Sequence, residues 1–165
     1  MAIDNTQRGF TLLIAVIFMS VMLSFGLALA SLGYKQQVLA SGAIASQYAF
    51  YVADTALECA LYADQRQGLF AYTKYDGNPK SMTCDGDTVA VVQLPPSVAL
   101  LISTVRLSLD EGTRCADLTV YKYATPQSPS NNTTYLFSIG YDVSCDRVAN
   151  PGNSRFVARG ISAHY

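Results

Sequence analysis

Few residues in this chain are of the types that do chemistry. His164 is the single histidine, and a general base needs an oriented partner that no serine, cysteine or acid grouping supplies here. It reads as a surface residue on a last strand. Asp85-Gly86-Asp87 could touch a calcium ion, but two loop carboxylates fall short of the roughly six to eight oxygens that ion takes, so a turn is expected. Cys59, Cys84, Cys115 and Cys145 contain no CxxC spacing, which argues against zinc. No Gly-rich phosphate loop and no paired catalytic carboxylates are present. The chain therefore reads as a non-enzyme with no cofactor and no metal. A net charge of −1 without a basic stripe points to no specific nucleic-acid partner. Asn131-Asn132-Thr133-Thr134 carries overlapping glycosylation sequons that read as loop residues. Tyr121, Tyr123, Tyr135 and Tyr141 either form an adhesive surface or fill a sheet face.

The elements that hold these residues begin with an apolar run. Phe10 to Leu32 carries no charged side chain, and Lys35 is the first charge beyond it. A helix of that length spans roughly 35 Å, enough for a hydrocarbon core of about 30 Å. A chain of 165 residues is one domain of ordinary size, too small to surround so uniformly apolar a core helix. Residues 1–9 are short and polar, with Arg8 marking the cytoplasmic flank. Residues 10–33 are expected to be the transmembrane half of a helix and 34–67 its amphipathic half. No proline interrupts 33–67, and Gly68 is placed to cap the end. Ile44, Tyr48, Tyr51, Thr55, Cys59 and Tyr62 recur at spacings of three and four, predicting the stripe that packs. Ala28-Leu29-Ala30 before Ser31 offers a competing reading: an ordinary signal-peptidase site and a soluble secreted domain. The apolar run before that site exceeds the usual h-region of about 7–15 residues. A permanently membrane-anchored envelope domain is the other alternative.

Residues 68–165 read as an antiparallel sheet domain. Val89–Leu94, Leu100–Leu109, Cys115–Tyr123, Tyr135–Cys145 and Arg155–Tyr165 are the expected strands, and no helix-length pattern separates them. Leu101, Ser103, Val105, Leu107 and Leu109 alternate with Ile102, Thr104, Arg106 and Ser108, so one set faces a core. Behind an export segment, four cysteines favour two disulfides. A hairpin centred near residue 130 would set Cys115 opposite Cys145, Tyr121 opposite Ile139 and Thr119 opposite Tyr141. Directly opposed cysteines can bridge. This predicts Cys115–Cys145 and, by elimination, Cys59–Cys84. The fold class is α+β: a long N-terminal helix, about 10–67, on an antiparallel sheet.

Arg8-Gly9-Phe10-Thr11-Leu12-Leu13-Ile14-Ala15 resembles the class III signal of type IV pilins and pseudopilins. The long helix followed by an antiparallel sheet resembles the pilin architecture. The resemblance implies that residues 1–9 are a leader, that a prepilin peptidase cuts between Gly9 and Phe10, and that Phe10 is N-methylated. It implies a precursor in the cytoplasmic membrane, in contact with lipid and an inner-membrane assembly platform. The product would join other pilin subunits in a fibre at the cell surface. Ala15, Gly26, Ala28, Ala30 and Gly33 are the small residues expected to let helices pack closely. One departure stands out: Ile14 occupies the position where most pilins carry Glu. Since a buried charge in lipid is retained only with a partner, its absence points to a minor or tip subunit.

Overall fold

The computed structural model describes residues 6–71, 75–96, 100–125 and 128–165, with the side chains of 6–9, 124–125 and 128–132 outside that description. The elements are α1 (Thr6–Gln67), β1 (Lys80–Cys84), β2 (Asp87–Gln93), β3 (Leu100–Leu109), β4 (Arg114–Thr125), β5 (Ser128–Tyr141), α2 (Cys145–Ala149) and β6 (Ala158–His164). The six strands form one antiparallel meander in chain order. This is the α+β fold expected: a long N-terminal helix and an antiparallel sheet. Contacts divide the chain at Gly42 into two compact units.

Within residues 43–165, the helix packs on one face of the sheet. Its buried residues are Ala49, Val52, Ala53, Ala56, Leu57, Ala60, Ala63 and Asp64, a helical stripe. Against them stand Leu101, Val105, Leu107, Leu118, Val120 and Leu136 from β3, β4 and β5. The helix contributes mainly alanines, with Val52 and Leu57, and the sheet mainly larger side chains. Alanines cost no side-chain entropy in the helix and bring its axis close, so the sheet side chains fill the space.

This corrects the expected stripe. Ile44, Tyr48, Tyr51 and Tyr62 are each about half exposed or more, and Thr55 is exposed too. Only Cys59 reaches the core edge. The aromatic side chains looked like the packing face by size, but the fold buries the alanine face one step around the helix.

The helix stops at Gly68, whose φ of 60° is left-handed. That turn lets the Gly68 and Leu69 N–H groups donate to the Asp64 and Ala63 carbonyls at 3.0 Å each, satisfying groups that a helix end leaves bare.

The strand alternation of β3 holds: Leu101, Ser103, Val105, Leu107 and Leu109 are buried and the intervening residues are not. Two other expectations need correction. β1 lies ahead of the first expected strand, Val89–Leu94. It is a short edge strand, paired to β2 through a tight turn in which Asp85 and Gly86 both have positive φ, as Asp-Gly hairpin turns require. The Asp85 carboxylate, weighed above for calcium, accepts the Asp110 N–H at 2.8 Å. The fifth strand ends at Tyr141 rather than Cys145, because Cys145 opens α2.

The hairpin register also differs. Cys115 opposes Tyr141, Tyr121 opposes Tyr135, and Thr119 opposes Phe137. Cys145 nevertheless bonds Cys115, with Cα atoms 4.7 Å apart. The bridge runs from a strand to the helix folded back over it, not between opposed strand residues. The second disulfide joins Cys59 on α1 to Cys84 on β1, with Cα atoms 5.9 Å apart.

Candidate functional site

Residues 6–42 lie in α1 and are the chemically distinctive part of the chain. An 18-residue window there reaches a mean hydropathy of 2.6 with no share of it buried. By length and composition this helix is long and apolar enough to cross a membrane. Phe10, Ile14, Phe18, Met22, Phe25 and Leu29 are all exposed. An exposed apolar surface on this scale is far beyond the few hundred Å² a soluble monomer tolerates.

The hydroxyls of the segment fit the same environment. Ser20, Ser24, Ser31 and Ser41 donate to the carbonyls of Ile17, Val21, Ala28 and Val38, at 2.8, 2.7, 2.9 and 2.9 Å. Polar groups in hydrocarbon must find partners inside the segment, and each of these serines does.

The small residues singled out from the sequence lie along this surface. Ala15, Gly26, Ala28, Ala30 and Gly33 are exposed on α1. A Cβ built on Gly26 or Gly33 meets no atom within 4 Å, so nothing within the described chain requires a glycine there. Gly9 lies inside α1 and Phe10 is 68% exposed.

In the sheet unit, a polar group sits where the core would otherwise be apolar. Asp64 near the end of α1 is 6% exposed. Its Oδ2 accepts hydrogen bonds from the Lys122 ammonium on β4 and the Tyr165 hydroxyl. The Lys122 ammonium also lies 5.7 Å from the centre of the Tyr165 ring, within cation–π range. Asp64 Oδ1 and Thr134 Oγ1 have no protein partner. The strand order β4–β5–β6 is what brings Lys122, Thr134 and Tyr165 to it. A second tie runs from Arg159 on β6, whose Nε donates to Ser46 Oγ at 2.7 Å.

Burial first, and then the hydrogen bond to Asp64, push the Tyr165 phenol well above its ordinary range. A raised phenol means the folded state holds the proton more tightly than the unfolded chain. The contribution to stability is complete below pH about 10, the ordinary tyrosine value. It is lost as pH climbs above that, because the unfolded chain ionises first. Tyr165→Phe is therefore expected to melt less steeply with pH between about 9 and 11.5 than the parent chain. Circular dichroism melts of the two across that range provide the check, and parallel curves would contradict it.

His164 lies on β6 and stacks on Tyr135, with centroids 5.8 Å apart and planes at 19°. Among the described residues no group of three or more His, Cys, Asp or Glu is arranged to hold a metal ion. Asn131-Asn132-Thr133-Thr134, expected in a loop, lie instead in β5, where Thr133 pairs with Tyr123 and Thr134 is fully buried; the side chains of residues 131 and 132 are outside the described residues.

Compared with protein-family models, with curated proteins and with solved structures, the chain has no match. Its likeness to pilins is one of architecture: an apolar N-terminal helix and an antiparallel sheet that receives the helix's second half.

Proposed function

We propose that this chain is a type IV pilin-like structural subunit, cut by a prepilin peptidase between Gly9 and Phe10 and assembled into a surface pilus or pseudopilus. The observation that carries the reading is a single α1 element with two characters: a fully exposed apolar segment, and a segment whose alanine face is buried on a sheet. In the proposed cycle the apolar segment rests first in lipid of the cytoplasmic membrane. Assembly exchanges lipid contacts for helix–helix contacts in the fibre, where Ala15, Gly26, Ala28, Ala30 and Gly33 permit close approach. The assembly platform and other pilin subunits are its partners. Ile14 in place of the family's Glu removes the carboxylate that would pair with a neighbouring amino terminus, which favours a minor or tip position.

The test is the amino-terminal sequence and intact mass of the chain recovered from its native cell surface. A start at Phe10 carrying one extra methyl group is expected. A start at Ser31 would mean a secreted domain, and an uncut chain in mature cells would mean a permanent anchor; either overturns the reading. Fibres composed mainly of this chain would remove the minor-subunit assignment while leaving the rest.

A further inference from the structure

The face of the sheet turned away from α1 is not uniform. Toward one end it is covered. Cys145 at the start of α2 is tied to Cys115, and Phe156 sits edge-on to Tyr141 with centroids 5.8 Å apart. Toward the other end the aromatics are left open. Ile102, Tyr121, Tyr135 and His164 stand side by side in one cross-strand row over β3–β6. Phe137 lies in the next row and Tyr123 on the other side. Tyr121 and Phe137 meet edge to face at 5.7 Å and 87°, and Tyr123 and Tyr135 at 5.8 Å and 85°. Together with Thr133 they line an open depression of about 560 Å³. Tyr123, Tyr135 and Phe137 remain 41, 39 and 45% exposed. That is costly apolar area to leave in water when the same fold half-buries Tyr141 on the same face.

The charge of the depression selects its occupant. Among the described residues no charged side chain lines it. On this face Arg106 is held by Asp117 through two parallel bonds of 2.7 and 2.8 Å, and the His164 imidazole beside the depression is stacked on Tyr135. The other nearby cation, Lys122, points to the buried side and engages Asp64. A phosphate polymer needs cations along its track, and the described residues that line the depression supply none. What remains is a set of aromatic edges and faces rimmed by hydroxyls of Tyr121, Tyr123, Thr133 and Tyr135. That combination matches a ligand with apolar C–H faces, many hydroxyls and no charge.

We infer that the open aromatic trough over β3–β6, built on Tyr121, Tyr123, Tyr135 and Phe137, binds a neutral glycan chain. Pyranose C–H faces stack on the rings, as flat rings do on aromatic platforms generally. The phenol hydroxyls and the Thr133 hydroxyl exchange hydrogen bonds with the sugar hydroxyls. The trough is open, so a polymer can lie across it. This inference does not depend on the fibre reading, because it uses only residues of the sheet unit.

The experiment titrates the full chain in nanodiscs of zwitterionic lipid with cellohexaose, mannohexaose and chitohexaose, by calorimetry and ligand-observed NMR. At least one hexasaccharide is expected to bind with a dissociation constant below about 1 mM. Tyr135→Ala and Phe137→Ala should each weaken it about tenfold or more, and Tyr135→Phe should keep most of it. Tyr62→Ala, an exposed aromatic on α1, should leave binding unchanged. Circular dichroism of each variant separates loss of binding from loss of fold, and the two alanine variants are independent routes to the same result. Absence of binding to all three sugars overturns the inference. So does binding that survives in folded Tyr135→Ala and Phe137→Ala, or a preference for hexathymidylate over every sugar.

Discussion

Gly140→Ala is expected to disrupt the seating of α1 on the sheet more than any other one-carbon change in the strands. Gly140 lies on β5, on the face that receives the helix, and a Cβ built there runs into the Ala49 carbonyl oxygen and the Ala53 amide nitrogen, with the Ala53 Cα at 3.1 Å. All three atoms are backbone, so no side chain can rotate away. Either the helix lifts off or the strand bends. An added carbon in a packed core typically costs about 1–3 kcal/mol, and here the rigid neighbours push it to the upper end. The opposing term is smaller: Ala in place of Gly in a strand gains only about 0.5–1 kcal/mol. The net loss of about 2 kcal/mol or more corresponds to a fall in melting temperature of roughly 4–8 °C. Gly160→Ala on the adjacent β6 is the matched control. Its Cβ would meet Ser138 O at 3.7 Å and Ile139 Cγ1 at 3.9 Å, ordinary contacts. That variant is expected to be neutral or slightly stabilised. Thermal melts of the full chain in nanodiscs, followed by far-ultraviolet circular dichroism, compare the two. Equal melting temperatures for both variants would contradict the close approach, and truncating Ala53 to Gly should not rescue Gly140→Ala.

How much of this was legible beforehand follows from which signals are local. The apolar run Phe10–Leu32 is a property of consecutive residues, and so were the α+β class and the alternation along Leu101–Leu109. The choice of packing face on the helix was not. Periods of three and four run through both the Tyr48–Tyr51–Tyr62 side and the Ala49–Ala53–Ala56–Ala60–Ala63 side. Size favoured the first. The second won because a helix lying on a flat sheet is brought closest by small residues, and Gly140 on the sheet completes that closeness. Nothing near Ala49 in the sequence announces a glycine on β5. The hairpin register failed for a related reason. Spacing alone sets the cysteines as opposed strand residues, whereas β5 ends at Tyr141 and the chain turns through α2 to bring Cys145 back to β4. A disulfide that can be closed by more than one backbone path does not report its register. The aromatic trough was half legible: Tyr121, Tyr123 and Tyr135 were recognisable as sheet-face residues. Their edge-to-face pairing depends on the true register, which sets Tyr121 beside Tyr135.

The Asp64–Lys122–Tyr165 cluster carries the second large effect, and it separates two accounts of why a small domain buries an ion pair. Lys122→Met is expected to destabilise the sheet unit by about 3–5 kcal/mol, because it leaves a carboxylate in the core without its cation. Asp64 is poorly placed to recover. It is 6% exposed and its Oδ1 has no protein partner to begin with, which leaves only the Tyr165 hydroxyl to answer the charge. Asp64→Leu alone should cost a comparable amount, since it strands the ammonium in turn. The double variant Asp64→Leu/Lys122→Met should recover most of the loss, because both desolvation costs vanish together and leucine and methionine suit the surrounding apolar residues. The interaction energy from the cycle would then be a few kcal/mol. If the pair were stabilising in its own right, the double variant would instead be at least as unstable as the worse single one. Recovery would mean that the pair contributes position rather than stability. It ties the last turn of α1 to β4 and, through the Tyr165 hydroxyl and the backbone bonds between Thr134 and Tyr165 at 2.9 and 3.1 Å, to the end of β6. An apolar core of alanines offers few features that fix how far along its axis a helix sits. A single buried pair supplies that register, so the double variant should retain stability while broadening the amide spectrum of residues 60–67. A sharp, parent-like spectrum in the double variant would show that the alanine face and the Cys59–Cys84 bridge fix the helix without it.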